Sequence, residues 1–138
     1  MAELKYEQVF ENNPKGLFIR VKAKKTDENR VVSYKTLFDT GAEISGITQK
    51  VVDDLGLKKV KDIEMRDASG HIINVPTYYV DIVIPTKPSE FSFHVEVPLA
   101  VSTQSEDILL GMNILSQCSF SLEKRENDYK LTLVIETD

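Results

Sequence analysis

Apolar and polar positions alternate with a period of two along much of this chain. Ile19, Val21 and Ala23 alternate with Arg20, Lys22 and Lys24, the mark of a strand with one buried face. Thr26-Asp27-Glu28-Asn29 reads as a turn, and Val31 to Phe38 returns as the second strand of a hairpin. Ile47, Val51 and Leu55 then fall at helical spacing, with Gly56 placed to end the helix. A second hairpin is predicted next. Ile63 and Met65 alternate with Glu64 and Arg66, Asp67-Ala68-Ser69-Gly70 turns, and Ile72 to Tyr79 leads away, extended by Val80, Ile82 and Ile84. Thr86 to Glu90 is a loop by composition, after which Phe91, Phe93, Val95 and Val97 alternate with Ser92, His94 and Glu96. Phe120 to Leu122, a polar turn around Glu126-Asn127-Asp128, and a strand carrying Leu131, Leu133 and Ile135 complete the pattern. Residues 1–16 lack clear periodicity and include the turn cluster Asn12-Asn13-Pro14-Lys15-Gly16, so an N-terminal arm or an edge strand is expected there. Strands dominate and helices are short. The expected fold is therefore mostly β and barrel-like, over residues 17–138.

Two places in this pattern carry chemistry. Leu37-Phe38 runs into Asp39-Thr40-Gly41-Ala42 and then Glu43-Ile44-Ser45, so an apolar strand ends in a tight turn that presents one carboxylate. Thr40 sets a hydroxyl beside that acid. Far downstream, Ile108-Leu109-Leu110-Gly111 followed by Met112 to Gln117 repeats the order of apolar strand, glycine and short helix.

Together the two segments resemble the retropepsin-like aspartic proteases, the single-lobe relatives of pepsin. The Ile-Leu-Leu-Gly-Met pattern is most similar to their bacterial, phage and cellular members, and the resemblance runs from about Leu17 to Ile135. It implies a closed β-barrel with one or two short helices, working as a symmetric homodimer that hydrolyses polypeptides without cofactor or metal. Asp39 is implied as the catalytic carboxylate, and Thr40 as the hydroxyl that locks two loops across the interface. Gly41 is implied as a supporting residue whose carbonyl receives substrate backbone, with Ala42 and Glu43 lining the adjoining site. Asp67-Ala68-Ser69-Gly70-His71 matches the flap that closes over substrate, so Ala68, Ser69 and Gly70 are implied to touch it. Beneath Asp39, Ile108-Leu109-Leu110 would be the apolar support. Met112 stands where retroviral enzymes carry an arginine, so Glu43 loses the ion-pair partner expected there. Tyr129 to Glu136 resembles the family's dimer sheet, the alternative being a plain edge strand.

The implied chemistry explains the implied dimer. Peptide hydrolysis needs a base to deprotonate water and an acid to protonate the carbonyl oxygen or leaving nitrogen. Two carboxylates sharing one proton supply both, because neighbouring like charges push their pKa values apart. The chain holds one Asp-Thr-Gly in 138 residues, so a second carboxylate is expected from a second copy across a two-fold axis.

Composition narrows the field. A net charge of −5 argues against nucleic acid as a partner, and Lys22 and Lys24 read as the solvated face of a strand. No stretch approaches the ~20 apolar residues of a membrane span. Met1 to Glu7 is acidic and lacks the apolar core of a secretory signal, and the one cysteine, Cys118, fits a reducing compartment, so a cytoplasmic location is expected. Cys118 reads as a small buried apolar residue, and His71 and His94 as solvated surface histidines without a Gly-x-Ser-x-Gly nucleophile motif. No zinc-ligand spacing or phosphate loop is present in the sequence. Two other readings compete: a catalytically silent dimer of the same fold acting as a peptide-binding or assembly module, and an unrelated β-barrel binding module with a fortuitous Asp-Thr-Gly.

Overall fold

The computed structural model describes residues 2–11, 14–67 and 69–137. Asn12 and Asn13 of the turn cluster, and Ala68 of the second hairpin, lie outside the described residues. The strands are β1 (Ala2–Glu11), β2 (Phe18–Lys24), β3 (Val32–Phe38), β4 (Gly46–Ile47), β5 (Lys59–Arg66), β6 (Ile72–Ile84), β7 (Phe91–Pro98), β8 (Ile108–Leu110), β9 (Ser119–Lys124) and β10 (Asp128–Thr137). Two short helices, α1 (Gln49–Leu55) and α2 (Met112–Leu115), follow β4 and β8. Both expected hairpins are present, and the fold is mostly β.

Seven strands form one sheet in the order β4-β8-β3-β2-β6-β5, with β7 also on β6. The length of β6 produces the branching. Its first half pairs with β5, while Thr77 to Ile84 pair with β7 and Asp81 to Val83 pair with β2. The sheet curls until Ile47 of β4 meets Leu99 just beyond β7 in a single bridge, where the Ala100 N–H donates to the Ile47 carbonyl at 2.7 Å. The result is a half-barrel whose ends touch at one point. A ladder there would need a longer β4, and Thr48 already leads into α1 after two strand residues.

Helical spacing placed Ile47 with Val51 and Leu55, yet Ile47 belongs to β4 and α1 starts at Gln49. All three are buried in the same core, and burial is what the spacing reported. Gly56 ends α1 in the left-handed conformation at φ 65.

A smaller sheet has the order β1-β10-β9. Residues 2–11 pair along their whole length with β10, from Ala2 opposite Thr137 to Glu11 opposite Asp128, so the N-terminal segment is an edge strand. The reading of Tyr129 to Glu136 as a plain edge strand fails, because β10 is the central strand of its sheet. Leu4, Phe10, Leu131, Leu133 and Ile135 join the core of the larger sheet. Lys22 and Lys24 lie half-buried on the outward face of β2, as their alternation implied, and pair there with Glu90 at 2.7 Å and Asp81 at 3.3 Å. Cys118 is half-buried, and burial pushes its thiol up to about 11, away from reactivity. Among the described residues no helix is long and apolar enough to cross a membrane.

Candidate active site

The sequence repeat becomes a side-by-side pairing. β3 and β8 run parallel, with Leu37 opposite Leu109 and Phe38 opposite Leu110. On its other side β8 pairs antiparallel with β4, Gly46 opposite Leu109 and Ile47 opposite Ile108. β8 is therefore inserted between the two strands that the Asp39 loop connects, and residues 39–45 must pass around its end. Ile108 and Leu110 are fully buried there, each worth about 1.5–3 kcal/mol of burial, which anchors the support under Asp39.

Hydrogen bonds fasten the loop to that support. The Asp39 N–H donates to the Leu110 carbonyl at 3.0 Å. The first amides of a helix have no partner inside it, and those of α2 turn to the loop: Met112 N–H to the Ala42 carbonyl at 2.7 Å and Asn113 N–H to the Glu43 carbonyl at 3.0 Å. Ser45 donates its N–H (2.8 Å) and its hydroxyl (2.7 Å) to Asn113 Oδ1, while its oxygen accepts the Gly111 N–H at 2.9 Å. Glu43 is exposed and makes no ion pair among the described residues, in line with Met112 standing where a cation was expected. Ser45 and Asn113 were not singled out in the sequence, where one looks like an ordinary polar turn residue and the other like the polar face of a short helix.

Space is tight at two glycines of this site, and at Gly111 it leaves no room for a side chain. A Cβ on Gly111 would lie 2.8 Å from the Ala42 carbonyl oxygen and 2.8 Å from the Ile44 carbonyl carbon, both backbone. A Cβ on Gly41 would sit 3.2 Å from Asp39 Oδ1, the oxygen that accepts the Gly41 N–H at 2.9 Å. Asp39 and Ala42 are half-buried; Thr40 and Gly41 are exposed. The Thr40 hydroxyl and Asp39 Oδ2 have no hydrogen-bond partner among the described residues.

A cavity of about 140 Å³ opens beside Asp39, lined by Gly46, Thr48 and Leu109 and by the 100–103 segment with Glu106. Glu106 is buried, which the polar run Ser102-Thr103-Gln104-Ser105-Glu106 conceals, since such a run reads as solvated loop. Burial, the largest single influence, pushes its carboxyl up. Donation from the Gln104 and Glu106 amides and the Ser102 and Thr103 hydroxyls outweighs it and holds the carboxyl below its ordinary range.

The second hairpin ends in a tight turn. Asp67 Oδ1 accepts the Ser69 and His71 amides, each at 2.9 Å, and the Gly70 N–H donates to the Asp67 carbonyl at 3.0 Å. Gly70 has φ 84, which a β-branched residue adopts only under strain. Ser69 and Gly70 are exposed at the tip, and no hydrogen bond joins them to the Asp39 loop among the described residues. Gly70→Val is expected to strain this turn by about 1–2 kcal/mol. Exchange of the Ser69 and His71 amides should accelerate more than that of the core strands, and the global unfolding midpoint should fall by a few degrees. Unaltered protection of both amides would contradict the tight turn.

His71 is exposed, as expected. His94 is exposed too but anchored: Nδ1 lies 2.7 Å from Asp81 Oδ1 and the ring stacks on Tyr79 at 5.3 Å. Among the described residues no group of three His, Cys, Asp or Glu is placed to hold a metal ion.

Both a family model and solved structures match this chain. The family model of the gag-polyprotein aspartyl protease matches residues 28–117, which include Asp39 and Gly111. A retropepsin-like aspartic protease from Rickettsia conorii has a similar crystal structure, with a TM-score of 0.57 at 18% identity, covering 99% of this chain and 98% of that one. At that identity the likeness is one of fold. No curated protein matches the sequence.

Proposed function

Because the chain belongs to the gag-polyprotein aspartyl protease family, within the retropepsin-like group, we propose that it is an aspartic endopeptidase whose two catalytic carboxylates are Asp39 and Asp39 of a second copy. The observation that carries this reading is the Asp39 loop itself. A half-buried carboxylate stands at its start, one oxygen held by the Gly41 amide, on a loop fixed to β8 and α2. Such fixing limits how far the acid can wander, and placement within about 1 Å matters for rate by roughly 10²-fold.

With one carboxylate ionised and its mate protonated, the ionised group takes a proton from a water molecule. The water oxygen then attacks the scissile carbonyl carbon as the neutral group protonates the carbonyl oxygen. Collapse of the resulting diol returns that proton to a carboxylate, delivers the other to the leaving nitrogen and breaks the C–N bond. Gly41, Ala42 and Glu43 would line the substrate beside the dyad. Ala68, Ser69 and Gly70 would cover it, with an extended peptide lying as an added strand.

The free edge of β9 supports placing the second copy nearby. Every residue of β9 is exposed, including Phe120 at 38% and Leu122 at 47%, and an exposed edge strand carrying large apolar side chains invites pairing with another chain. Phe120 packs edge-on against Phe38 at 5.2 Å, directly before Asp39. A two-fold axis near this edge would bring the two Asp39 loops, and the unpartnered Thr40 hydroxyls, face to face.

Mixing subunits tests the shared site. After exchange with an equal amount of Asp39→Asn chain, only about a quarter of dimers keep both carboxylates, so activity per wild-type chain should fall by about half. Activity should also fall on dilution. A full wild-type rate after complete exchange, or a sedimenting monomer that still cleaves, would contradict the shared site.

A further inference from the structure

We propose that Glu106 is a positioning residue for substrate selection: its buried carboxylate holds Ser102 and Thr103 in the wall of the cavity beside Asp39, and so decides which side chain next to the scissile bond is accepted. The proposal rests on the reading of Asp39 as a catalytic carboxylate.

Glu106 is 5% exposed and forms no ion pair among the described residues, although buried acids are normally paired with a cation. It is satisfied instead by four donors from the chain just before it. Oε1 accepts the Ser102 hydroxyl at 3.0 Å, the Thr103 N–H at 3.0 Å and the Gln104 N–H at 2.6 Å; Oε2 accepts the Thr103 hydroxyl at 3.0 Å. Both flanks of the segment are fastened to the sheet. On one side the Ala100 N–H bonds the Ile47 carbonyl at 2.7 Å, and on the other the Asp107 N–H bonds the Lys35 carbonyl at 2.8 Å. Between those anchors, Val101 to Ser105 are exposed and make no backbone–backbone hydrogen bond among the described residues. Ser105 even adopts φ 62, a conformation that L side chains seldom take. The Glu106 carboxylate is therefore the main internal tether of this segment, with Lys35 Nζ on the Ser105 hydroxyl at 2.8 Å and that hydroxyl on the Gln104 carbonyl at 2.5 Å as further side-chain ties.

What it tethers faces the site. Ser102, Thr103 and Glu106 line the same cavity as Asp39, together with the apolar Ala100, Val101 and Leu109. A volume of about 140 Å³ is close to that of an engineered cavity of about 150 Å³ that takes up a benzene ring. The occupant that fits is a medium-sized apolar side chain of a peptide whose backbone lies at Asp39. Loosening the wall would leave the carboxylates in place but blur the boundary that excludes larger groups.

Two substitutions separate clamp from charge. Glu106→Gln keeps Oε1 as an acceptor and can turn its amide to the Thr103 hydroxyl, whereas Glu106→Ala removes every acceptor. Thr103 and Gln104 amide exchange should be slow in wild type and Glu106→Gln, and about tenfold or more faster in Glu106→Ala. Peptides differing only in the residue beside the cut (Ala, Leu, Phe, Trp) should be ranked alike by wild type and Glu106→Gln. Glu106→Ala should lose about tenfold of that discrimination through KM, with kcat on the best peptide within about twofold. The same ranking is read by binding of the peptides to Asp39→Asn with and without Glu106→Ala. That measurement reads the cavity's choice of side chain even if wild type cleaves nothing, an outcome which sinks the catalytic reading by itself. Should Glu106→Ala fail to fold, Ser102→Ala with Thr103→Val removes two donors from the exposed segment and should broaden the ranking in the same direction. Amides still protected in Glu106→Ala, or a ranking unchanged in whichever loosened variant folds, would overturn the proposal.

Discussion

Asp39→Asn should lower kcat/KM for peptide hydrolysis by on the order of 10⁴-fold, the upper end of what acid–base catalysis contributes, while the chain stays folded. The substitution is nearly isosteric, and the asparagine oxygen can still accept the Gly41 N–H that Asp39 Oδ1 holds at 2.9 Å. The loop therefore keeps its shape and its bond to Leu110. What disappears is the group that takes a proton from water, in both copies at once. The unfolding midpoint should hold or rise, because in the proposed dimer the substitution removes like-charge repulsion between two facing carboxylates. Cleavage of an unstructured protein, with the unfolding midpoint followed in parallel, provides the comparison. Undiminished turnover by purified Asp39→Ala would end the aspartic protease reading. A wild type that binds peptides without cleaving them would point to the silent binding module.

Gly111→Ala should cost about 3 kcal/mol of stability and most of the activity, although it adds one methyl group far from Asp39 in sequence. The new Cβ would meet the Ala42 carbonyl oxygen and the Ile44 carbonyl carbon at 2.8 Å and the Ile44 carbonyl oxygen at 2.9 Å. All three are backbone atoms and none can swing aside. Relief requires moving the Asp39 loop away from α2, which stretches the Met112–Ala42 and Asn113–Glu43 bonds of 2.7 and 3.0 Å. Asp39 moves with that loop, and a displacement near 1 Å costs about 10²-fold in rate. Gly41→Ala is the useful contrast. Its Cβ would approach a side-chain oxygen at 3.2 Å, so a small rotation of Asp39 relieves it, with less lost stability than activity. Denaturant unfolding and kcat/KM for both variants supply the test. A Gly111→Ala protein with wild-type midpoint and rate would mean that the contact between loop and helix does not hold the site.

The sequence by itself determined the strands and the place of the acid. Period-two alternation at Ile19 to Lys24 and Phe91 to Val97 survives into the structure because it records which face of each strand meets the core, a property local to a few residues, while at Ile63 to Arg66 it marks a strand whose apolar face is only half-buried. Asp39-Thr40-Gly41 and Ile108 to Gly111 were legible for the same reason: each is a strand ending in a turn, written in adjacent residues. Gly70 at φ 84 was likewise visible from its turn. Local pattern is silent about which strand lies beside which, and there the tertiary structure decided. Insertion of β8 between β3 and β4 turns two similar phrases into one scaffold and sets Gly111 against the Asp39 loop. Pairing with β10 makes a strand of residues 2–11, whose own sequence lacks periodicity. Ile47 matched helical spacing yet sits in β4, since a buried position can satisfy either period. Glu106 was the furthest from view. Its polar neighbours suggest a solvated loop, and only the folded chain shows them turned inward on one carboxylate, because burial is set by what packs around a segment and not by the segment alone.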